Sequence, residues 1–245
     1  MEMSFKNKIV LVTGGGNGIG REICKTLYKY GAKVVTVCLD GPALLSLAKE
    51  CPGIKTIELD VAKDWNKTHE TILGIGHVDA LVNNAGVGIT APFVDVTPES
   101  FDKSFNINVK SLLNISQAVV KQMIKQGTGG SIVNLSSQAS QAALQDHTVY
   151  CGTKGAVDAM SRVMALELGK YNIRVNCVNP TVVMTDMGRI NWSDPKKSST
   201  MLSKIPLNRF AEVDEVVNGI LFLLSDKASM ISGVTLPIDG GFLAC

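Results

Sequence analysis

Little of this 245-residue chain is charged or aromatic: Asp, Glu, Lys and Arg make up 19% of it, and Phe, Trp and Tyr 5%. The 24 basic and 22 acidic residues form no long run of either sign. A nucleic-acid binder carries a basic stripe or a pI above about 9, whereas the sequence pI here is 8.2, so no nucleic-acid partner is expected. Long apolar runs are missing too. Stretches such as Ile9 to Val12 and Ile220 to Leu224 fall far short of the ~20 residues that span a bilayer. The opening Met1-Glu-Met-Ser-Phe-Lys6 has no apolar segment of secretory type. A cytoplasmic protein without a membrane partner is expected. The six cysteines (24, 38, 51, 151, 177 and 245) include no C-x-x-C, and the three histidines (69, 77 and 147) form no H-E-x-x-H. This argues against a metal site and for reduced, mostly packed thiols, Cys151 among them.

What is abundant is glycine, at 23 residues, and a regular alternation of two patterns. Strand-like runs occupy Lys8–Thr13, Lys33–Leu39, Thr56–Leu59, Ala80–Asn83, Ser131–Leu135, Arg174–Val178 and Thr235–Ile238. Several are continuously apolar, as strands covered on both faces must be. Helical patterns fall near 18–30, 43–50, 63–74, 98–125, 150–170 and 212–225. Alternation of this kind implies right-handed crossovers and a parallel, doubly wound α/β sheet of Rossmann type, with helices on both faces. No linker divides the chain, so a single domain over residues 1–245 is expected. The stretch 186–210 breaks the rhythm and is a candidate substrate lid.

The first strand runs into Thr13-Gly14-Gly15-Gly16-Asn17-Gly18-Ile19-Gly20, with a helix behind it. Small residues here let the backbone approach a pyrophosphate held at the positive end of that helix. Gly14, Asn17, Gly18, Ile19 and Gly20 are therefore candidate dinucleotide-binding residues. Ligands in such folds lie outside the carboxyl ends of the strands. Asp60 and Val61 end the third strand, where they suit an adenine amine and ring. Asn83-Asn84-Ala85-Gly86 ends the fourth strand, and Pro180-Thr-Val-Val-Met-Thr185 follows the sixth.

The second strand ends in Val37-Cys38-Leu39-Asp40-Gly41, where the adenosine ribose belongs. A 2′-phosphate calls for Arg or Lys, while a free 2′-hydroxyl welcomes a carboxylate. Asn17, Leu39 and Asp40 therefore favour NAD(H) over NADP(H), unless Asp40 only opens the next loop.

Tyr150 and Lys154 are one helical turn apart, and Ser137 ends the fifth strand. Reducing a carbonyl creates an alkoxide that needs a proton and hydrogen-bond donors. Ser137 would hold the carbonyl oxygen and Tyr150 would deliver the proton. Lys154 would lower the phenol's pKa and grip the nicotinamide ribose.

With these residues in hand, the chain resembles the short-chain dehydrogenases/reductases along its whole length. The resemblance rests on Thr13-Gly-x-x-x-Gly-x-Gly20, Asn83-Asn-Ala-Gly86, Asn108, Ser137, Tyr150-x-x-x-Lys154 and Pro180-x-x-Val183-x-Thr185. It implies a fourth catalytic residue, Asn108, holding a water behind the lysine. It also implies Asn83, Ala85, Gly86, Pro180, Val183 and Thr185 around the cofactor, and a homotetramer. Within the family the chain is similar to the animal dicarbonyl/L-xylulose reductases. Glu50-Cys-Pro-Gly-Ile54, Ser136-Ser-Gln-Ala-Ser-Gln141, Asn191-Trp-Ser-Asp-Pro195 and the tail Leu236-Pro-Ile-Asp-Gly-Gly-Phe-Leu-Ala-Cys245 carry that likeness. It implies reduction of L-xylulose and of small α-dicarbonyls, with Gln138, His147 and Trp192 in the substrate pocket. Those relatives use NADP(H), with basic residues where this chain has Asn17 and Leu39, so the resemblance and the local charge disagree about the cofactor. A reductase for 3-oxoacyl or steroid substrates, and a dinucleotide-binding protein without turnover, are the competing functions.

Overall fold

The computed structural model describes residues 3–245, apart from the side chains at 187, 191 and 197. The strands are β1 (Ile9–Thr13), β2 (Lys33–Cys38), β3 (Lys55–Glu58), β4 (Ala80–Asn83), β5 (Gly130–Leu135), β6 (Ile173–Pro180) and β7 (Thr235–Ile238). They form one parallel sheet in the order β3-β2-β1-β4-β5-β6-β7. After β1 the chain winds outward to β3 and then returns to place β4 on the other side of β1. The switch point, where a crevice opens, therefore lies between β1 and β4.

Each strand presents alternate side chains to opposite faces, and both faces are covered. Val10 and Val12 of β1 pack with Ile23 and Leu27 of α1 (Gly18–Lys29) and with Val217, Ile220 and Leu221 of α9 (Val213–Leu224). Leu11 points the other way, to Ile72 of α3 (Trp65–Leu73) and Ile115 and Val119 of α5 (Ser111–Gln126). Each such fully buried side chain contributes roughly 1.5–3 kcal/mol. Among the described residues, no helix is long and apolar enough to cross a membrane.

The strands lie within about two residues of their expected places. Two helical expectations need correction. The single helix expected over 98–125 is α4 (Pro98–Phe105) and α5, joined by a π turn over Asn106–Lys110 in which the amide of Ser111 reaches back to the carbonyl of Asn106. A run of apolar and polar residues does not reveal one extra residue in a turn. The arrhythmic stretch after 186 contains α7 (Asp186–Asn191) and α8 (Pro195–Leu202). Thr185 and Asp194 cap these helices by accepting from the amides of Gly188 and Lys196, and Pro195 occupies the first turn of α8. The Asp-Pro pair that reads as a break is thus a helix start.

Candidate active site

The turn after β1 is held from both sides. Gly14 takes φ +69°, which side chains resist, and its amide donates to the carbonyl of Val37 at 2.7 Å. A Cβ on Gly20 would fall 2.2 Å from the carbonyl oxygen of Gly14, so only glycine lets α1 start this close. Thr13 Oγ1 accepts from the amides of Asn84 and Ala85, and Asn84 Nδ2 donates to the carbonyls of Thr13 and Gly14. The turn is thereby fastened to the end of β4. Thr13 and Asn84 escape a reading for ligand contacts, because their work is to hold backbone.

Above this turn lies a cleft of about 950 Å³ bordered by Gly14, Asn17, Gly18, Ile19, Leu39, Asp60, Val61, Ala85, Gly86 and Thr185. That volume is at the upper end of cofactor pockets, roughly 300–1,000 Å³. Asn17 stands at the start of α1 but does not cap it, which leaves the first-turn amides to an anionic group. These features fit a nicotinamide dinucleotide: a glycine cradle for the pyrophosphate, a helix start behind it, and a mainly apolar cleft.

At the adenosine end, Asp40 Oδ2 accepts from Asn17 Nδ2 at 2.8 Å. Its other oxygen accepts from the amide of Ala43 and caps α2 (Gly41–Glu50). The Ala43 amide, followed by Asn17, holds the Asp40 carboxyl below its usual range, so Asp40 is a settled negative charge at the rim. Asp40 opens the next helix and also reaches the glycine turn, so both sequence readings of it describe part of the geometry. Leu39 beside it is exposed. Arg21 also borders the cleft. Its guanidinium donates to the carbonyls of Gly16 and Ala43, to Ser46 and, at 2.7 Å, to Glu50.

Seven cofactor candidates do not line the cleft: Gly20 and Asp40 at its glycine turn, Tyr150 and Lys154 beyond Gly86, and Asn83, Pro180 and Val183. Asn83 is buried inside the sheet layer, where its Nδ2 donates to Ser116 Oγ and Asn134 Oδ1; the neighbouring Asn84 borders the cleft instead. Strand alternation explains the exchange, because adjacent residues point to opposite faces. Pro180 is buried at the end of β6, and Val183 bridges to Ala211 while packing on the core. Neither borders the cleft.

At its other end the cleft meets the catalytic candidates. A Cβ on Gly86 would lie 3.2 Å from Asn108 Oδ1 and 3.8 Å from Lys154 Nζ, and one on Gly88 would lie 3.9 Å from the Tyr150 ring. Tyr150 and Lys154 are on α6 (Thr148–Leu168), with Lys154 Nζ 5.6 Å from the centre of the Tyr150 ring. Lys154 Nζ donates to the carbonyl of Leu135 at 2.7 Å. Burial lowers the Lys154 pKa to about 8, opposed by Cys177 and Asp158. Burial raises the Tyr150 pKa and a hydrogen bond with Ser137 pulls it back, so the lowering expected from Lys154 is not what the resting site shows: desolvation of the phenol outweighs it. Ser137 Oγ accepts from the amide of Ala139. Asn108 is buried in the π turn; its amide bonds the backbone N–H and carbonyl of Val87 and donates to Thr153 Oγ1.

The substrate candidates divide. Gln138 is buried and its Oε1 has no partner, while the His147 ring meets Tyr150 edge-on at 6.0 Å. Trp192 meets Phe210 with the rings tilted by 58° and their centres 5.3 Å apart, in a small cluster with Met201 and Ile205. Cys24 and Cys177 are buried thiols with pKa pushed up to about 12.

The chain is similar to known proteins in both sequence and fold. The profile of the enoyl-(acyl carrier protein) reductase family matches residues 14–243. The chain is 55% identical to the D-erythrulose reductase of Gallus gallus, over 99% of this chain and 98% of that protein. It is 53% identical to the L-xylulose reductase of Homo sapiens, over 100% of both. Among solved structures, a short-chain type dehydrogenase/reductase from Mycobacterium ulcerans superposes with a TM-score of 0.94 at 30% identity, covering 99% of this chain and 92% of that one. A gluconate 5-dehydrogenase from Burkholderia cenocepacia, solved with NADP and tartrate, superposes with a TM-score of 0.92 at 28% identity, covering 99% and 97%.

Proposed function

The chain belongs to the short-chain dehydrogenases/reductases, nicotinamide-dependent oxidoreductases, and from that premise we propose that it reduces small polar carbonyl compounds, L-xylulose and α-dicarbonyls such as diacetyl first among them. The observation that carries this reading is the meeting of Tyr150 with Ser137 and Lys154, the lysine Nζ lying next to cleft-lining Gly86 and the tyrosine ring next to Gly88. The names of the relatives, D-erythrulose and L-xylulose reductase, support the substrate class. Buried Gln138, with an unpartnered oxygen, and His147 beside Tyr150 suit hydroxyl groups better than a long acyl chain or a steroid.

Gly14, Asn17, Gly18, Ile19, Gly20, Asp60, Val61, Ala85, Gly86 and Thr185 would hold the dinucleotide, which supplies the hydride when bound. Ser137 Oγ and the Tyr150 hydroxyl donate to the substrate oxygen and orient the carbonyl. As the carbonyl carbon gains hydride, the C=O π bond breaks. Tyr150 then gives its O–H proton to the forming alkoxide. Lys154 keeps positive charge beside the phenol and favours the phenolate left behind. Asn108 fixes the π turn against Val87 and Thr153, and so positions the floor of the site.

We favour NAD(H). Asp40, held charged by Asn17 and Ala43, would repel a 2′-phosphate, and Arg21 is already taken up by Glu50 and backbone carbonyls. The NADP in the Burkholderia cenocepacia structure is the contrary precedent. Residues 186–210 are proposed as a lid, since Thr185, Asp186 and Ile190 border the cleft. Exposed Phe101, Val163 and Leu166 on α4 and α6 support a homotetramer, and free cysteines suit a cytoplasmic setting.

Cofactor absorbance followed separately for NADH and NADPH, with L-xylulose and with diacetyl, tests the reading. Oxidation of NADH at the higher kcat/KM is expected, together with loss of nearly all turnover in Tyr150→Phe at retained cofactor affinity. No oxidation of either cofactor by either substrate would refute the substrate class, and NADPH preference would refute the role given to Asp40.

A further inference from the structure

One buried carboxylate has no part in the scheme above. Asp158 sits on α6 one turn beyond Lys154 and is 4% exposed. Both its oxygens face Asn179 Nδ2 of β6, at 3.0 and 3.4 Å. The same amino group lies 3.1 Å from the backbone carbonyl of Ser137 and 2.9 Å from Ser140 Oγ, so its two N–H bonds are shared among the carboxylate and these two acceptors. A single side-chain amide thus ties a carboxylate on the catalytic helix to the strand end that carries Ser137. Burying a carboxylate is costly unless it is hydrogen-bonded or faces positive charge, and no Lys, Arg or His forms an ion pair with Asp158 among the described residues. The cation on the same face of α6, four residues before it, is Lys154.

We propose that Asp158 is a positioning residue of the active site: its carboxylate keeps Lys154 cationic, and through Asn179 it fixes Ser137 against Tyr150. Two observations support the electrostatic half. Lys154 is buried and, among the described residues, its Nζ donates to a neutral carbonyl, that of Leu135. The groups facing it are Tyr150 and Asp158 on its own helix and Cys177 on β6. The Cys177 thiol, pushed up to about 12 by burial, is uncharged at neutral pH, so Asp158 is the negative charge that opposes the desolvation of Lys154. The mechanical half rests on Ser137 Oγ being placed by its own backbone, since it accepts from the amide two residues on. Movement of the Ser137 carbonyl would therefore carry the hydroxyl with it.

The proposal depends on the roles assigned to Ser137, Tyr150 and Lys154, and the test separates the two readings. If Tyr150→Phe keeps near wild-type turnover, the site assignment fails. If that variant is inactive while Asp158 variants behave as wild type, only this inference fails. In the reduction direction, activity falls at alkaline pH as the Lys154–Tyr150 pair loses its proton. Removing a neighbouring negative charge makes that proton easier to lose. Asp158→Asn should therefore move the alkaline limb of the kcat profile to lower pH by roughly one unit, the size of a charge interaction at close range. Asp158→Glu, which restores charge, should return the limb toward its wild-type position. An unmoved limb in Asp158→Asn overturns the electrostatic half.

Asn179→Ser leaves the charge in place and cuts the tie to Ser137. It should lower kcat/KM by about fivefold or more, ~1 kcal/mol, with the limb unmoved. Wild-type kcat/KM in Asn179→Ser overturns the mechanical half, and this arm decides even if Asp158→Asn fails to fold.

Discussion

Lys154 illustrates at the scale of one residue how a reactive site conflicts with stability. An ammonium held in a dry interior gives up hydration, and the single hydrogen bond to the Leu135 carbonyl recovers only part of it. The fall of its pKa from 10.5 to about 8 corresponds to roughly 3 kcal/mol against the charged, folded state. Below pH 8 the folded protein carries this cost in full. Between about pH 8 and 10.5 the unfolded chain binds more protons than the folded one, so this group's contribution to stability rises with pH. Lys154→Met should therefore abolish turnover yet raise stability at pH 7 by about 1–2 kcal/mol, after allowing for a carbonyl left without its donor. Thermal unfolding at pH 7 and pH 10 checks this, the advantage of the variant shrinking at the higher pH. Equal or lower stability at pH 7 would contradict the desolvation account. Tyr150 and Lys154 share a helix face at four-residue spacing, and so this pair was legible in the sequence. The Leu135 carbonyl and Asp158 were not, because a backbone acceptor leaves no mark in a sequence and a lone Asp in a helix resembles a solvated one.

Between β1 and α1 a distance matters as well as the left-handed conformation of Gly14. Gly20 has an ordinary helical backbone, yet a Cβ there would overlap the carbonyl oxygen of Gly14. Gly20→Ala should push α1 away from the turn and weaken dinucleotide binding by about tenfold or more, ~1.4 kcal/mol. Fluorescence titration with NADH and NADPH measures the loss, and unchanged affinity would mean that the turn is not the pyrophosphate site. The π turn between α4 and α5 follows the opposite rule. Its extra residue turns Asn108 inward to Val87 and Thr153, and hydrophobic periodicity over 98–125 carries no sign of it. The short helices α7 and α8 were hidden for a third reason: Thr185, Asp194 and Pro195 are start signals for helices too short to develop a periodic apolar stripe.

For the molecule as a whole, the two faces of the sheet are unequal partners of the segment over the cleft. Helix α8 rests through Met201 and Leu202 on a small cluster with Ile205, Phe210 and Trp192, separate from the two layers that sandwich the sheet, and Ile190 of α7 is exposed. Segments with few buried contacts open at lower free energy than the core. Hydrogen exchange should therefore release amides of α7 and α8 well before those of β1, β4 and β5, and saturating dinucleotide should slow α7, which borders the cleft. Exchange at the same rate as the central strands would argue against a lid.

Alternating apolar runs and glycine-bearing turns determined by themselves that the chain forms a parallel sheet with a dinucleotide site at the carboxyl ends of its strands. They did so because burial on two faces and close backbone approach each demand particular residue types at adjacent positions. Adjacent-residue logic stops at contacts between distant segments. The inward turn of Asn83, the cleft-side position of Asn84, the sharing of Asp40 between Asn17 and α2, and the Asp158–Asn179–Ser137 tie were decided only by the tertiary structure. In each case the partner lies on another strand or helix, and packing alone brings the two within hydrogen-bond reach.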